Sequence, residues 1–330
     1  VPNSTDTLDQ KLLAERRVQV GEHSLNVAEG PDNGPAVVLL HGQGSRWQDH
    51  QRVLPTLVEG HHVFAIDVPG HGSSAALPAS SYTLSNVGEL LAQTIEQVVT
   101  EPAIVSGHSS GGLVALGIAA NRPDLVRGLL LEDPPLFSSV LPRGDKTTGG
   151  TLHRLAAAYL RERPEVSFQR YYVAHSNYFA FFGPFARPLT NYSLRWIDRH
   201  PDRPLRIWFL PGLITVFFEG LIHYDPAFGA AWDTDQWYGG FDTAAALAAV
   251  SAPTVLIHTT WWHDHRGGTS YDKSGVLMAA MDTDDATRSI DLLPEAELIT
   301  VSSGHLVHFE RPKGYLAAFR RLADRVATDR

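Results

Sequence analysis

Four short apolar runs constrain this chain more than any other feature. "PAVVLLHG", "HHVFAIDVPG", "PAIVSGHS" and "VRGLLLEDPP" lie within the first 135 residues, and each ends in a loop bearing Gly or Pro. Near-continuous Val/Ile/Leu runs of this length are what parallel strands buried on both faces require. Between them, "VGELLAQTIEQVV" and "GGLVALGIAANRPDLV" carry helical spacing. Strand and helix therefore alternate, and the pattern predicts a doubly wound, mostly parallel α/β sheet. The earlier segment "RRVQVGEHSLNVAEG" alternates and turns at Gly21-Glu22, so it predicts an antiparallel hairpin at the sheet edge.

The rhythm stops after Pro135. Residues 136–250 are rich in aromatics and proline, as in "YYVAHSNYFAFFGPFARP" and "LRIWFLPGLITVFFEGLIHY". The strand pattern resumes with "APTVLIHTT" and "AELITVSSGH", and the chain closes on the helical "PKGYLAAFRRLADRV". The expected organisation is a core of residues 1–135 and 251–330, split by a mainly helical cap at 136–250 between the sixth and seventh strands.

Composition narrows the function classes. A net charge of -9 argues against a nucleic-acid surface, and there is no G-x-x-x-x-G-K-[ST] loop. The chain has no cysteine, which excludes disulfides and thiolate chemistry. No apolar run is long enough to span a bilayer. The N-terminal "VPNSTDTLDQKLLAERR" is polar and lacks a signal-peptide apolar region. The expectation is a cytoplasmic enzyme without nucleic-acid or membrane partners.

Gly107-His108-Ser109-Ser110-Gly111 sits between a predicted strand and a predicted helix. In that context G-x-S-x-G reads as a sharp turn that lifts its central serine above the sheet. Ser109 is thus the candidate nucleophile, and Ser110 offers a backbone N–H at a helix N-terminus to a developing oxyanion. Ser106 belongs to the strand end and serves local hydrogen bonding. A serine hydroxyl needs a base. His305, in "SSGHLVHFERP", follows the last strand and is the candidate; His308 is a weaker competitor. Asp133, rigidly followed by Pro134-Pro135, is favoured as the third residue. Asp264, in "LIHTTWWHDHRGG", is the alternative acid. Glu132 should point away from Asp133, because strand side chains alternate. Gly42 or Gln43, after the first core strand, can present the second oxyanion donor. The hydrolase motifs explain catalysis without a metal, so neither metal nor other cofactor is expected, despite His258, His263, Asp264 and His265. Among the aromatics, Trp208, Trp232, Trp237 and Trp261 are the candidates for binding substrate.

The motifs "LLHGQGSRW", "AIDVPGHGSS", "SGHSSGG" and "GHLVHFERP", in that order, resemble the α/β-hydrolase superfamily across the chain apart from the cap and the first twenty or so residues. The resemblance implies Ser109 as nucleophile, His305 as base, and Gly42 or Gln43 with Ser110 as oxyanion hole. The chain departs from the usual pattern after strand seven, where "HTTWWHD" lacks a glycine and places Asp264 late. Some members carry the acid after strand six, where Asp133 stands. Lactonases that open the mycotoxin zearalenone look similar in this respect, with an acid before a proline. The implied activity is hydrolysis of a carboxylic ester or lactone of a bulky, apolar, aromatic substrate such as that macrocycle. A carbon–carbon hydrolase of vinylogous diketones, an amidase and a ligand receptor on the same fold are the rivals. Caps of this fold often carry dimer contacts, so a homodimer through the cap is an assembly open to this chain.

Overall fold

A computed structural model describes residues 12–328; the polar N-terminal stretch as far as Lys11 lies outside them. The eight strands are β1 (Ala14–Val20), β2 (His23–Glu29), β3 (Ala36–Leu40), β4 (His62–Ile66), β5 (Ala103–His108), β6 (Val126–Glu132), β7 (Thr254–Thr259) and β8 (Ala296–Val301). They form one sheet in the order β1-β2-β4-β3-β5-β6-β7-β8. The expected hairpin is present: β1 pairs antiparallel with β2, and β2 pairs antiparallel with β4. Every pairing from β4 to β8 is parallel.

The strand runs are apolar throughout because both faces of the sheet are covered. Val38 and Leu40 of β3 belong to one core cluster, and Val37 and Leu39 belong to the other. The first cluster packs under α1 (Leu84–Val98) and α2 (Ser110–Asn121). Thr83 caps α1, its hydroxyl accepting from the Asn86 N–H at 3.1 Å.

No strand lies between β6 and β7. That stretch folds as α3 (Thr148–Glu162), α4 (Phe168–His175), α5 (Ala186–Arg199), α6 (Gly212–Leu221), α7 (Pro226–Asp233) and α8 (Thr243–Ala249), with two shorter 3-10 turns. The insert is not sealed off from the sheet. Leu152, Phe168, Phe218 and Trp237 share the cluster that contains Val38 and Val105. Two polar ties reinforce the join: the Leu84 N–H donates to the Trp237 carbonyl at 2.7 Å, and the Tyr82 hydroxyl donates to Asp225 at 2.7 Å. After β7 come α9 (Thr283–Leu292), β8 and α10 (Pro312–Thr328). Tyr315, Phe319 and Leu322 of α10 cover the second face. Among the described residues no helix is long and apolar enough to cross a membrane.

Candidate active site

The strand-to-helix turn after β5 is strained. Ser109 has φ 54 and ψ -122, a region that L-residues avoid. Holding a non-glycine residue there costs about 1–3 kcal/mol, which the surroundings must supply. They do so through two hydrogen bonds: the Ser109 N–H donates to the Glu132 carbonyl at 2.9 Å, and the Gly112 N–H donates to the Ser109 carbonyl at 2.9 Å. The neighbours are small because the backbones touch. A Cβ on Gly107 would collide with the Gly111 carbonyl, and one on Gly111 with the carbonyls of Leu40 and His41. Ser106, below the turn, hydrogen-bonds the Tyr315 hydroxyl at 2.7 Å.

Asp133 follows β6 directly and is fully buried. Its backbone also has positive φ, 44, which aspartate tolerates better than most residues. The carboxylate accepts from the Thr259 hydroxyl at 2.9 Å and from His305 Nδ1 at 2.7 Å. With Nδ1 carrying the proton, Nε2 of His305 is the free basic nitrogen. Burial works to lower the His305 pKa. The hydrogen bond and charge of Asp133, with the charges of Glu132 and Glu310, outweigh it and raise the pKa above its usual value.

The adjacent carboxylate holds a different histidine. Glu132, buried on the opposite side of the strand end, accepts from the His308 backbone N–H at 2.9 Å and from His308 Nδ1 at 2.8 Å. His308 is itself buried. His108 completes the support: its Nε2–H donates to the His305 carbonyl at 3.0 Å. Burial, then the neighbouring imidazoles of His305, His308 and His50, push the His108 pKa well below its usual value. The neutral ring donates through Nε2, which the carbonyl acceptor requires.

Opposite this pair lies the loop after β3. Gly42 passes so close to the turn that a Cβ there would lie 2.7 Å from His108 Nδ1 and 2.9 Å from the Ser109 Cβ. Ser110 opens α2, where backbone N–H groups have no partner within the helix. The Gln43 side chain is clamped from the insert. Its Nε2 donates to the Tyr224 hydroxyl at 2.6 Å, and its Oε1 accepts from His153 Nε2 at 2.9 Å. His153 stacks on Trp232 with ring centroids 5.0 Å apart. Burial, then the charge of Arg154, lowers its pKa to about 3, so it stays a neutral donor.

Ser109, His305, Gln43 and Ser110 line a cavity of about 330 Å³. Tyr172, Phe217 and Trp232 of the insert form its apolar side. Asp49 also lines it; burial pushes that carboxyl up to about 6, against the opposing pull of the Ser45 hydroxyl and the Arg46 charge.

The structure places the remaining sequence candidates elsewhere. Asp264 sits on a short exposed helical turn after β7, accepting from Thr260 at 2.8 Å and Ser302 at 2.9 Å rather than from His305. Trp237 is fully buried, stacked on Trp232 at 4.7 Å. Trp208 is 86 % exposed. Trp261 packs edge-on against Trp262. None of these three tryptophans lines the cavity, whereas Trp232 does. Among the described residues no three His, Asp or Glu side chains gather as a metal-ligand set. Sequence reasoning missed His153 and Tyr224. His153 lies within α3 and Tyr224 in the short connection between α6 and α7, and neither has a local motif around it.

A strained serine at the carboxyl end of a parallel strand, with a His–Asp pair on neighbouring loops, defines the α/β-hydrolase architecture. The profile of the Alpha/beta hydrolase family matches residues 37–318, and the chain belongs to that family. Esterase Rv0045c of Mycobacterium tuberculosis is 35% identical over 153 residues, covering 46% of this chain and 49% of the relative. The (E)-2-((N-methylformamido)methylene)succinate hydrolase of Acinetobacter baylyi is 33% identical over 94 residues, 28% of this chain and 35% of the relative. The chain thus spans half or less of the curated relatives it matches. Among solved structures, a hydrolase from Pseudomonas aeruginosa PA01 superposes with a TM-score of 0.65 at 19% identity, over 94% of this chain and 98% of the other. The enol-lactonase from Burkholderia xenovorans LB400 superposes with a TM-score of 0.60 at 15% identity, over 94% and 100%. At such identities these superpositions show the fold alone.

Proposed function

We propose that this protein is a serine hydrolase that cleaves a carboxylic ester or lactone of a bulky, apolar substrate. The observation that carries this reading is the 2.7 Å contact of buried Asp133 with Nδ1 of His305, which lines the same cavity as the strained Ser109. Ser109 attacks the carbonyl carbon while His305 Nε2 takes its proton. Asp133 holds the ring in the tautomer that leaves Nε2 free and stabilises the imidazolium. The backbone N–H of Ser110, with that of Gln43 or Gly42, receives the oxyanion; one such donor is worth about 10²–10³ in rate. His305 then returns the proton to the leaving alcohol, and water releases the acid.

The insert acts as a cap that supplies the apolar wall. Tyr172, Phe217 and Trp232 favour a substrate with ring surface over a small polar one. A macrocyclic aryl lactone of the zearalenone kind suits this wall and is the first compound to test. The experiment is a hydrolysis screen by liquid chromatography–mass spectrometry, with wild type beside Ser109→Ala. The panel holds that lactone, simpler aryl lactones, phenyl esters and one vinylogous diketone. Addition of one water to an ester or lactone, lost in the Ala variant, is the expected result. Turnover of the diketone alone would replace ester cleavage with carbon–carbon cleavage at the same triad.

A further inference from the structure

The described residues include six exposed large apolar side chains, and four of them crowd one end of the insert: Phe181 at 59%, Phe185 at 69%, Trp208 at 86% and Phe209 at 50% exposure. They form one surface. Phe185 and Phe209 line a common groove with Phe182, Pro188, Tyr192 and Leu210. Phe181 packs on Phe182 with ring centroids 4.3 Å apart, and Trp208 meets Phe209 edge-on at 5.4 Å. Burying such side chains is the ordinary outcome of folding, so a contiguous exposed group needs a partner.

The charge around this surface indicates which partner. Residues 180–211 contain five arginines and two aspartates, in a chain whose net charge is -9; of the five, Arg206 is paired with Glu219 at 3.1 Å. The spacing puts Phe185, at the N-cap of α5, on one helical face with Pro188, Tyr192, Arg195 and Arg199. Arg195 and Arg199 are exposed. Asp198 lies off that face and pairs with Arg170 at 2.6 Å. An aromatic tip grading into arginines is complementary to a surface that is apolar within and anionic at its rim. A second copy of the chain, docked through the same face about a two-fold axis, would set this cationic stripe against itself.

We propose that this end of the insert docks peripherally on an anionic lipid surface. Trp208, Phe209, Phe181 and Phe185 enter the headgroup boundary, and Arg195 and Arg199 meet the lipid phosphates. The docked face leads to the cavity through packed rings: Phe182 lies 6.4 Å from Phe179, which lies 5.2 Å from Tyr178, a residue of the cavity wall. The docking itself does not depend on the hydrolase reading.

The test is cosedimentation of the full chain with vesicles of phosphatidylcholine alone or mixed equally with phosphatidylglycerol. The expected result is binding to the mixed vesicles that weakens with salt and is much weaker on phosphatidylcholine. Trp208→Ser with Phe185→Ser should lower the partition coefficient at least roughly tenfold. Arg195→Gln with Arg199→Gln should lower it about fivefold per arginine. All four side chains are exposed, and an unchanged melting temperature checks that each variant folds. Absence of vesicle binding by the wild type overturns the proposal. So does binding that both variants retain in full. A concentration-dependent dimer that Trp208→Ser dissolves, seen by light scattering without vesicle binding, overturns it in favour of a second copy of the chain.

Discussion

Glu132 and His308 form a buried pair directly behind Asp133 and His305, with the Glu132 carboxylate accepting both the backbone N–H and the ring Nδ1 of His308. Two adjacent residues at the end of β6 thus each hold one histidine of the segment after β8. The pairs work as a double fastening: Asp133 fixes the His305 ring, and Glu132 fixes the backbone three residues further on. The Glu310 carboxylate tightens the same loop by accepting from the Gly304 N–H at 3.0 Å.

Removing Glu132 should therefore disturb His305 without touching it. Glu132→Ala leaves two buried N–H groups of His308 unsatisfied, at a cost of about 1–3 kcal/mol each. Chemical denaturation should show that loss. Steady-state kinetics should show kcat reduced with KM little changed, because the cavity wall is intact. An unaltered kcat in the folded variant would mean that the loop is positioned without this pair.

Ser109 trades stability for a raised hydroxyl. Glycine adopts positive φ freely, so Ser109→Gly should abolish turnover and yet raise the unfolding free energy by about 1–2 kcal/mol. Ser109→Ala should abolish turnover without that gain, since alanine inherits the same backbone. Urea unfolding of the three proteins side by side separates the two effects.

Asp133 sets the pH dependence expected of catalysis. In the proposed mechanism His305 has to be neutral to take the Ser109 proton, and its pKa is raised above the ordinary 6.5, with Asp133 the main cause opposing burial. The rate kcat/KM should fall as pH drops through that raised value. In Asp133→Asn the acid limb should move to lower pH, and the maximum rate should fall by about 10⁴ through loss of the correct tautomer. A limb that stays in place would remove Asp133 as the partner of the base.

Asp49 sets a pH dependence of stability. Its folded pKa is about 6 against an ordinary 3.8, so the folded state binds more protons than the unfolded chain between those values. Stability conferred by this group is complete below the lower value and is lost as pH rises toward the upper one. The loss is on the order of 3 kcal/mol. Asp49→Asn should remove that portion of the decline, read from urea midpoints at a series of pH values across the window.

Much of the fold was legible because its signals are local. Continuous apolar runs named β3 to β7, alternation named the β1–β2 hairpin, and the glycines beside Ser109 announced a turn in which backbones touch. Loop positions at the carboxyl ends of strands brought His305 and two aspartates into view. The direction of Glu132 also came from strand alternation. Each of these signals spans only a few residues of chain.

The choice between contacts was not legible. Asp133 and Asp264 both come after strands on the same side of the sheet, and only the fold sets Asp133 at 2.7 Å from His305 while turning Asp264 toward Thr260 and Ser302. The tryptophans divide in the same way. Trp232, Trp237 and Trp208 have the same side chain, yet the first lines the cavity, the second is fully buried against the first and the third stands in solvent. The insert has no strand rhythm, so its packing depends on contacts between residues far apart in the chain, such as Gln43 with His153 and Tyr224. The amino-acid sequence by itself determined the elements and the strained turn, because hydrophobic periodicity and backbone sterics act over a few residues. The partner of each charged or aromatic side chain was decided by tertiary structure alone, because contacts between residues so distant in sequence exist only once the chain has closed on itself.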